Sequence, residues 1–143
     1  MAIVEIDGLS EDKGESGFDA IPSGKYNLRV MDVKMKETGP NSKNPGTPMT
    51  SLQCEVIDHE EHDGRKIFHN LVHPQKGMED NTFAMFRANI KAMQLACGIT
   101  DAGNKYDPDE LMHQEFTAVV SVRTNPVTEQ KSNQIGKVLE YEG

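Results

Sequence analysis

The chain has 143 residues, of which 36% are apolar and 27% charged, and its formal net charge is −8, a composition and length that suit one domain with its own core. No apolar run approaches the roughly 20 residues that a membrane-spanning helix needs, and the start MAIVEIDGLSEDKG lacks the basic region and long apolar stretch of a signal peptide. The expectation is a cytoplasmic protein without a membrane partner.

Residues 1–20 mix glycine, serine and acids around a short apolar start at Ile3, Val4 and Ile6, and read as an acidic flexible arm. Ile21-Pro22-Ser23-Gly24 marks a turn into the folded domain, because proline fixes φ and glycine tolerates positive φ. From Lys25 to Lys36, Tyr26, Leu28 and Val30 alternate with Lys25, Asn27 and Arg29; the phase then flips to Val33 and Met35 against Asp32, Lys34 and Lys36. A flip inside one strand predicts a β-bulge, which a barrel uses to bend a long strand.

Glu37 to Pro48, with its prolines and glycines, is an exposed loop, and Met49 to Ile57 forms a second strand with Leu52, Cys54 and Val56 on one face. An acidic turn, Asp58 to Gly64, leads into a third strand, Arg65 to Val72, whose alternation sets Ile67, His69 and Leu71 opposite Lys66, Phe68 and Asn70. Asp80 to Cys97 predicts an amphipathic helix: Phe83, Phe86, Ile90, Met93 and Cys97 trace one core-facing stripe, Asp80 or Asn81 serves as N-cap, and Gly98 ends it. Asp107 to His113 predicts a second short helix, with Asp107 as cap and Pro108 at the first helical position. Phe116, Ala118, Val120 and Val122 share one face of a fourth strand, and Asn133 to Leu139 forms a fifth after a turn-rich hairpin.

This order gives a mainly β fold with one or two helices, an OB-fold-like five-stranded β-barrel with a helix between strands 3 and 4. The barrel domain covers residues 21–139, flanked by the acidic arm 1–20 and a short acidic C-terminus 140–143.

A net negative charge argues against a polyanionic partner, since affinity for phosphates comes from lysine and arginine. Its distribution reverses that argument. Residues 21–57, 64–100 and 116–139 are net basic, whereas the acids concentrate in 1–20, 58–63, 101–115 and 140–143. The strands therefore offer a distributed basic set: Lys25, Arg29, Lys34 and Lys36 on strand one, Lys43 in the following loop, Arg65 and Lys66 with the ring of Phe68 on strand three, and Arg123 and Lys131 around the last hairpin. Single-strand binders combine such a basic track with aromatic rings on which bases stack. Tyr26, in phase with Leu28 and Val30, is read as core.

No catalytic motif competes with this. There is no GxGxxG, Walker-type or GxSxG sequence, and Cys54 and Cys97, each bordered by apolar residues, read as buried free thiols in a reducing compartment. Asp58, His59, His62 and Asp63 carry metal-ligand chemistry but no recognised ligand spacing, so neither metal nor cofactor is expected.

Ile21-Pro22-Ser23-Gly24-Lys25-Tyr26, a Lys/Thr/Gly loop near Lys36 to Gly39, Gly64-Arg65-Lys66-Ile67-Phe68, Leu95-Ala96-Cys97-Gly98 and Phe116-Thr117-Ala118-Val119-Val120 together resemble small phage-encoded single-stranded-DNA-binding proteins. The resemblance covers Ile21 to Leu139. It implies a non-enzymatic protein of phage DNA replication or recombination that coats single-stranded DNA without reading its sequence. Phage replication or recombination proteins are the further partners it implies, and it leaves a homo-oligomer open. The competing expectation is a β-barrel adaptor that meets a protein partner through its acidic surface.

Overall fold

The computed structural model describes residues 3–5 and 20–143; the expectation of a flexible arm over residues 1–20 falls almost wholly outside them. Five strands follow one another with a single α-helix after the third: β1 Gly24–Glu37, β2 Pro48–Ile57, β3 Lys66–Val72, α1 Asp80–Ala96, a short 3-10 turn Pro108–Leu111, β4 Glu115–Thr124 and β5 Lys131–Glu140. The strands form one antiparallel sheet in the order β3-β2-β1-β4-β5. Where a closed barrel is expected from the element order, the sheet is open. Its two outer strands, β3 and β5, come close together but share no backbone ladder.

The phase flip in β1 is a bulge. Val30 pairs with Cys54 and Asp32 with Gln53, so Met31 is the extra residue, and the side chains beyond it change faces as the alternation predicts. The bulge leaves Val30 with its backbone partnered: its N–H donates to the Gln114 carbonyl (2.9 Å) and its carbonyl accepts from His113 N–H (2.8 Å). Inward of the sheet, Leu28, Val30, Leu52, Cys54, Val56 and Phe116 are sealed from solvent, and Tyr26 joins them with its hydroxyl donating to the Pro22 carbonyl at 2.6 Å.

Helix α1 covers one end of this core with Ile90, Met93 and Ala96. Its C-terminus ends as expected at Gly98 (φ +80°), where Gly98 N–H donates to Leu95 O (3.1 Å) and Ile99 N–H to Gln94 O (2.8 Å), a Schellman pattern that a residue with a Cβ would strain. Two expectations for this helix fail. The N-cap is Glu79, which makes no side-chain capping bond, so the first turn relies on backbone geometry alone. Phe83 and Phe86 are half-buried instead of core, because the apolar stripe is longer than the core it covers and the first two turns overhang it. The second helix is a single 3-10 turn, with Asp107 accepting from Asp109 N–H (3.0 Å) and Pro108 at its start, as the sequence signals dictate.

The loop between β1 and β2 is more ordered than its composition predicts. Thr47 N–H donates to Thr38 Oγ1 (2.9 Å), Thr47 Oγ1 to Asn44 O (2.8 Å) and Gly46 N–H to Thr38 O (3.1 Å), so two threonine hydroxyls stand in for the backbone partners a turn lacks. The segment entering β1 is clasped in the same manner. Ile21 N–H donates to Asn133 Oδ1 and Asn133 Nδ2 donates back to Ile21 O, both at 2.9 Å, tying residue 21 to β5 across the chain.

Candidate nucleic-acid interface

Cross-strand register sorts the basic set. On the outer face, Arg29, Glu55 and Lys66 form one row over β1, β2 and β3; Asp32, Gln53 and Phe68 the next; then Lys34, Ser51 and Asn70; then Lys36, Met49 and Val72. Phe68 stands among them with 60% of its surface exposed, whereas its strand neighbours Ile67 and Leu71 are buried on the other face. Phe68 is thus a large ring that avoids the core in a regular strand, with Lys66 and Asn70 beside it on the same side, a geometry open to stacking by a planar group.

The remaining cations divide. Lys34 lies 3.7 Å from Asp32, and Lys36 and Lys66 are exposed on the same face. Lys25 and Arg29 lie on β1 where it also pairs with β4 and are engaged by carboxylates of this chain, Lys25 with Glu142 (3.4 Å) and Arg29 with Glu115 (2.9 Å). The C-terminal residues lie across that region: Glu142 N–H donates to Thr117 Oγ1 (2.9 Å), and the Tyr141 hydroxyl reaches over β1 to Asp58 at the end of β2. Thr117, an outer-face residue, is thereby 2% exposed. The hydrogen bond to Asp58, more than burial, raises the Tyr141 phenol above its ordinary value.

Lys43 is exposed in the β1–β2 loop, next to the end of β1 that carries Lys36. Arg123 and Lys131 sit at the β4–β5 hairpin, beyond Gly24↔Val120, the last pair that joins β4 to β1, so the register does not place them with Phe68. Arg65 precedes β3, its carbonyl accepting from Val56 N–H at 2.8 Å, and its side chain is partly buried.

The histidines of the acidic turn serve the fold. His59 Nδ1 accepts from the N–H groups of Glu61 (3.2 Å) and His62 (3.1 Å), and the two imidazoles pack on each other and on Tyr26, with ring centroids 4.9 to 6.1 Å apart. Burial pushes the Cys54 thiol up to about 12 and Cys97 to about 11, so neither is a thiolate near neutral pH.

Burial also holds the imidazoles of His69 and His73 below their ordinary 6.5. The unfolded chain then binds these protons more readily than the folded one. Their contribution to stability is complete above pH 6.5 and is lost as pH falls from there toward the depressed folded values, at no more than about 1.4 kcal/mol per pH unit for the well-buried His69 and less for the more exposed, solvent-screened His73. The urea midpoint is expected to drop between pH 7 and pH 5.5, and His69→Gln with His73→Gln should flatten that drop; an unchanged decline in the double variant would assign it to other groups.

A second basic surface has no counterpart in the sequence pattern. A groove of about 770 Å³ runs between α1 and residues 103–106, starting at His73 and Pro74 just past β3. Arg87, Lys91 and Lys105 line it together with the rings of Phe83 and Tyr106, and among the described residues no aspartate or glutamate does. The polar face of a helix reads as ordinary solvation, and Lys105 comes from a segment that is net acidic, so only the fold brings these cations together.

No curated protein matches the chain in sequence. The family model described as "Protein of unknown function (DUF669)" matches residues 9–139, nearly the whole chain, and the protein belongs to that family.

Proposed function

We propose that the protein binds single-stranded DNA without sequence preference, on the outer face of β1, β2 and β3, as a partly open OB-type barrel. An OB fold is a five-stranded, partly open barrel whose strand 2–3 face and β1–β2 and β4–β5 loops take oligonucleotides. The strand order β3-β2-β1-β4-β5 with the β3 and β5 edges facing each other supports that assignment. The observation that carries the reading is Phe68, 60% exposed on the very strands such a fold uses, with Lys34, Lys36 and Lys66 on the same face. The lysines draw in phosphates and release counterions, and the ring then takes a base. Lys43 lies in the first of those loops, and Arg123 and Lys131 lie at the second, away from Phe68, where only a longer strand would reach them. Lys25 and Arg29, held by Glu142 and Glu115, contribute less. Coating of exposed strands in phage DNA replication or recombination is the role the resemblance adds.

Fluorescence anisotropy of a labelled oligo-dT of about 30 nucleotides, longer than the 4–16 that one OB fold covers, tests this at low and moderate salt with unlabelled duplex as competitor. Binding that weakens with salt and resists the duplex is expected. Absence of binding at low salt, or equal displacement by duplex, overturns the reading and favours an adaptor whose acidic segments meet a protein.

A further inference from the structure

We propose that the groove between α1 and residues 103–106 is a second nucleotide-binding subsite, which takes the continuation of a single strand held on the β3 face. The inference rests on the single-strand reading above. Three observations carry it. Arg87, Lys91 and Lys105 converge on one concavity with no carboxylate among the described residues that line it. The acids nearby are Asp107, which acts on Tyr106 from outside, and Asp80, in the adjoining hollow past Phe83, so cations outnumber acids at its walls although the chain as a whole is acidic. Flat groups line it as well: Tyr106 and His73 meet edge-to-face at 5.5 Å, and the Arg87 guanidinium lies 5.7 Å over Phe83. Cations beside rings suit a ligand that is a phosphate at one end and a planar base at the other.

The walls are also held in place before any ligand arrives. The buried amide of Gln94 donates to the Lys105 carbonyl at 3.1 Å, pinning the loop to the helix. Next to it the Tyr106 hydroxyl donates to Thr50 Oγ1 (2.8 Å), which pairs with His73 Nε2 (2.7 Å) and so ties the loop to β2 and the end of β3. A preformed site loses little freedom on binding. Its volume of about 770 Å³ accommodates more than one nucleotide.

The distance between the two sites is within a single strand's reach. Pro74, at the mouth of the groove, is six residues beyond Phe68, which is about 20 Å at strand rise. That distance lies within the reach of a strand of the 4 to 16 nucleotides an OB fold covers.

The test uses the full chain, oligo-dT of about 4 and about 30 nucleotides, and the variants Arg87→Ala with Lys91→Ala, Arg87→Lys with Lys91→Arg, and Phe68→Ala. Both helix positions are exposed, so melting temperature is expected to hold. The double alanine variant should bind the long oligonucleotide at least about 10-fold more weakly, with its salt slope shallower by about 1.4 for two lost phosphate contacts. The charge-conserving pair should restore both, and the short oligonucleotide, filling only the β3 face, should bind as to wild type. If the double alanine variant binds the long strand with wild-type affinity and slope while Phe68→Ala weakens it, the groove is not on the path and the β3 face stands alone. If wild type binds neither length, the single-strand reading itself fails and takes this inference with it.

Discussion

Phe116→Ala is expected to cost about 3–5 kcal/mol of folding stability, the range for truncating a buried phenylalanine, and to lower the melting temperature by roughly 10–20 °C for a domain of this size. Phe116 is 0% exposed and pairs with Leu28, itself sealed, on the inner face where β4 joins β1. The sheet there is held by backbone ladders on both sides of β4, so it cannot collapse into the vacated space without breaking register. Against a typical total of 5–15 kcal/mol, the loss leaves little margin. Val122→Ala on the same strand is the comparison. Its alternation places it with Phe116, Ala118 and Val120, yet it is 36% exposed, because β1 stops pairing at Val120 and β4 runs on with β5 alone. A change within about 0.5 kcal/mol is expected for such an exposed site. Urea denaturation of the two variants side by side decides: equal losses would mean that the core extends to the hairpin, against the burial of these two side chains.

Val122 also shows how far sequence reading goes. Strand phase is local chemistry, and the bulge at Met31, the faces of all three first strands and the exposure of Phe68 follow from alternation alone. Where an element stops being covered depends on its neighbours, which alternation does not encode. Hence Phe83 and Phe86 are assigned to a core that ends before reaching them, and Val122, on the same face as Phe116, lies beyond its cover. Long-range polar contacts are illegible for the same reason. Nothing near Asn133 marks it as the clasp for Ile21, and nothing near Glu142 shows that it lies against Lys25 and Thr117, more than 20 residues away from either. Such contacts give Lys25 and Arg29 carboxylate partners from distant parts of the chain, whereas Lys34 meets only its neighbour Asp32 on the same strand and Lys36 and Lys66 lie exposed near Phe68. Charge counting treats all of them alike; the register and the ion pairs distinguish them.

Phe68→Ala is expected to weaken single-strand binding by about 5- to 150-fold, the equivalent of the roughly 1–3 kcal/mol that one stacked base contributes, while folding stability stays within about 0.5 kcal/mol of wild type. The separation of the two effects is what makes the variant informative. Phe68 is 60% exposed, so its ring contributes little to the core, and a loss of affinity in a protein that melts normally has to come from the binding face. Salt gives a second check. Removing a stacking partner would leave the proposed phosphate contacts of Lys34, Lys36 and Lys66 in place, so affinity should fall by a similar factor at every salt concentration with the slope unchanged. The chain contains no tryptophan, so Phe68→Trp would place a single indole at the proposed contact, where a stacked base should quench it while affinity is kept or raised. If Phe68→Ala binds oligo-dT as wild type does and the indole at 68 keeps its emission as oligo-dT saturates the protein, bases do not stack on this face. Any binding would then follow the lysines alone, or run through the groove beside α1.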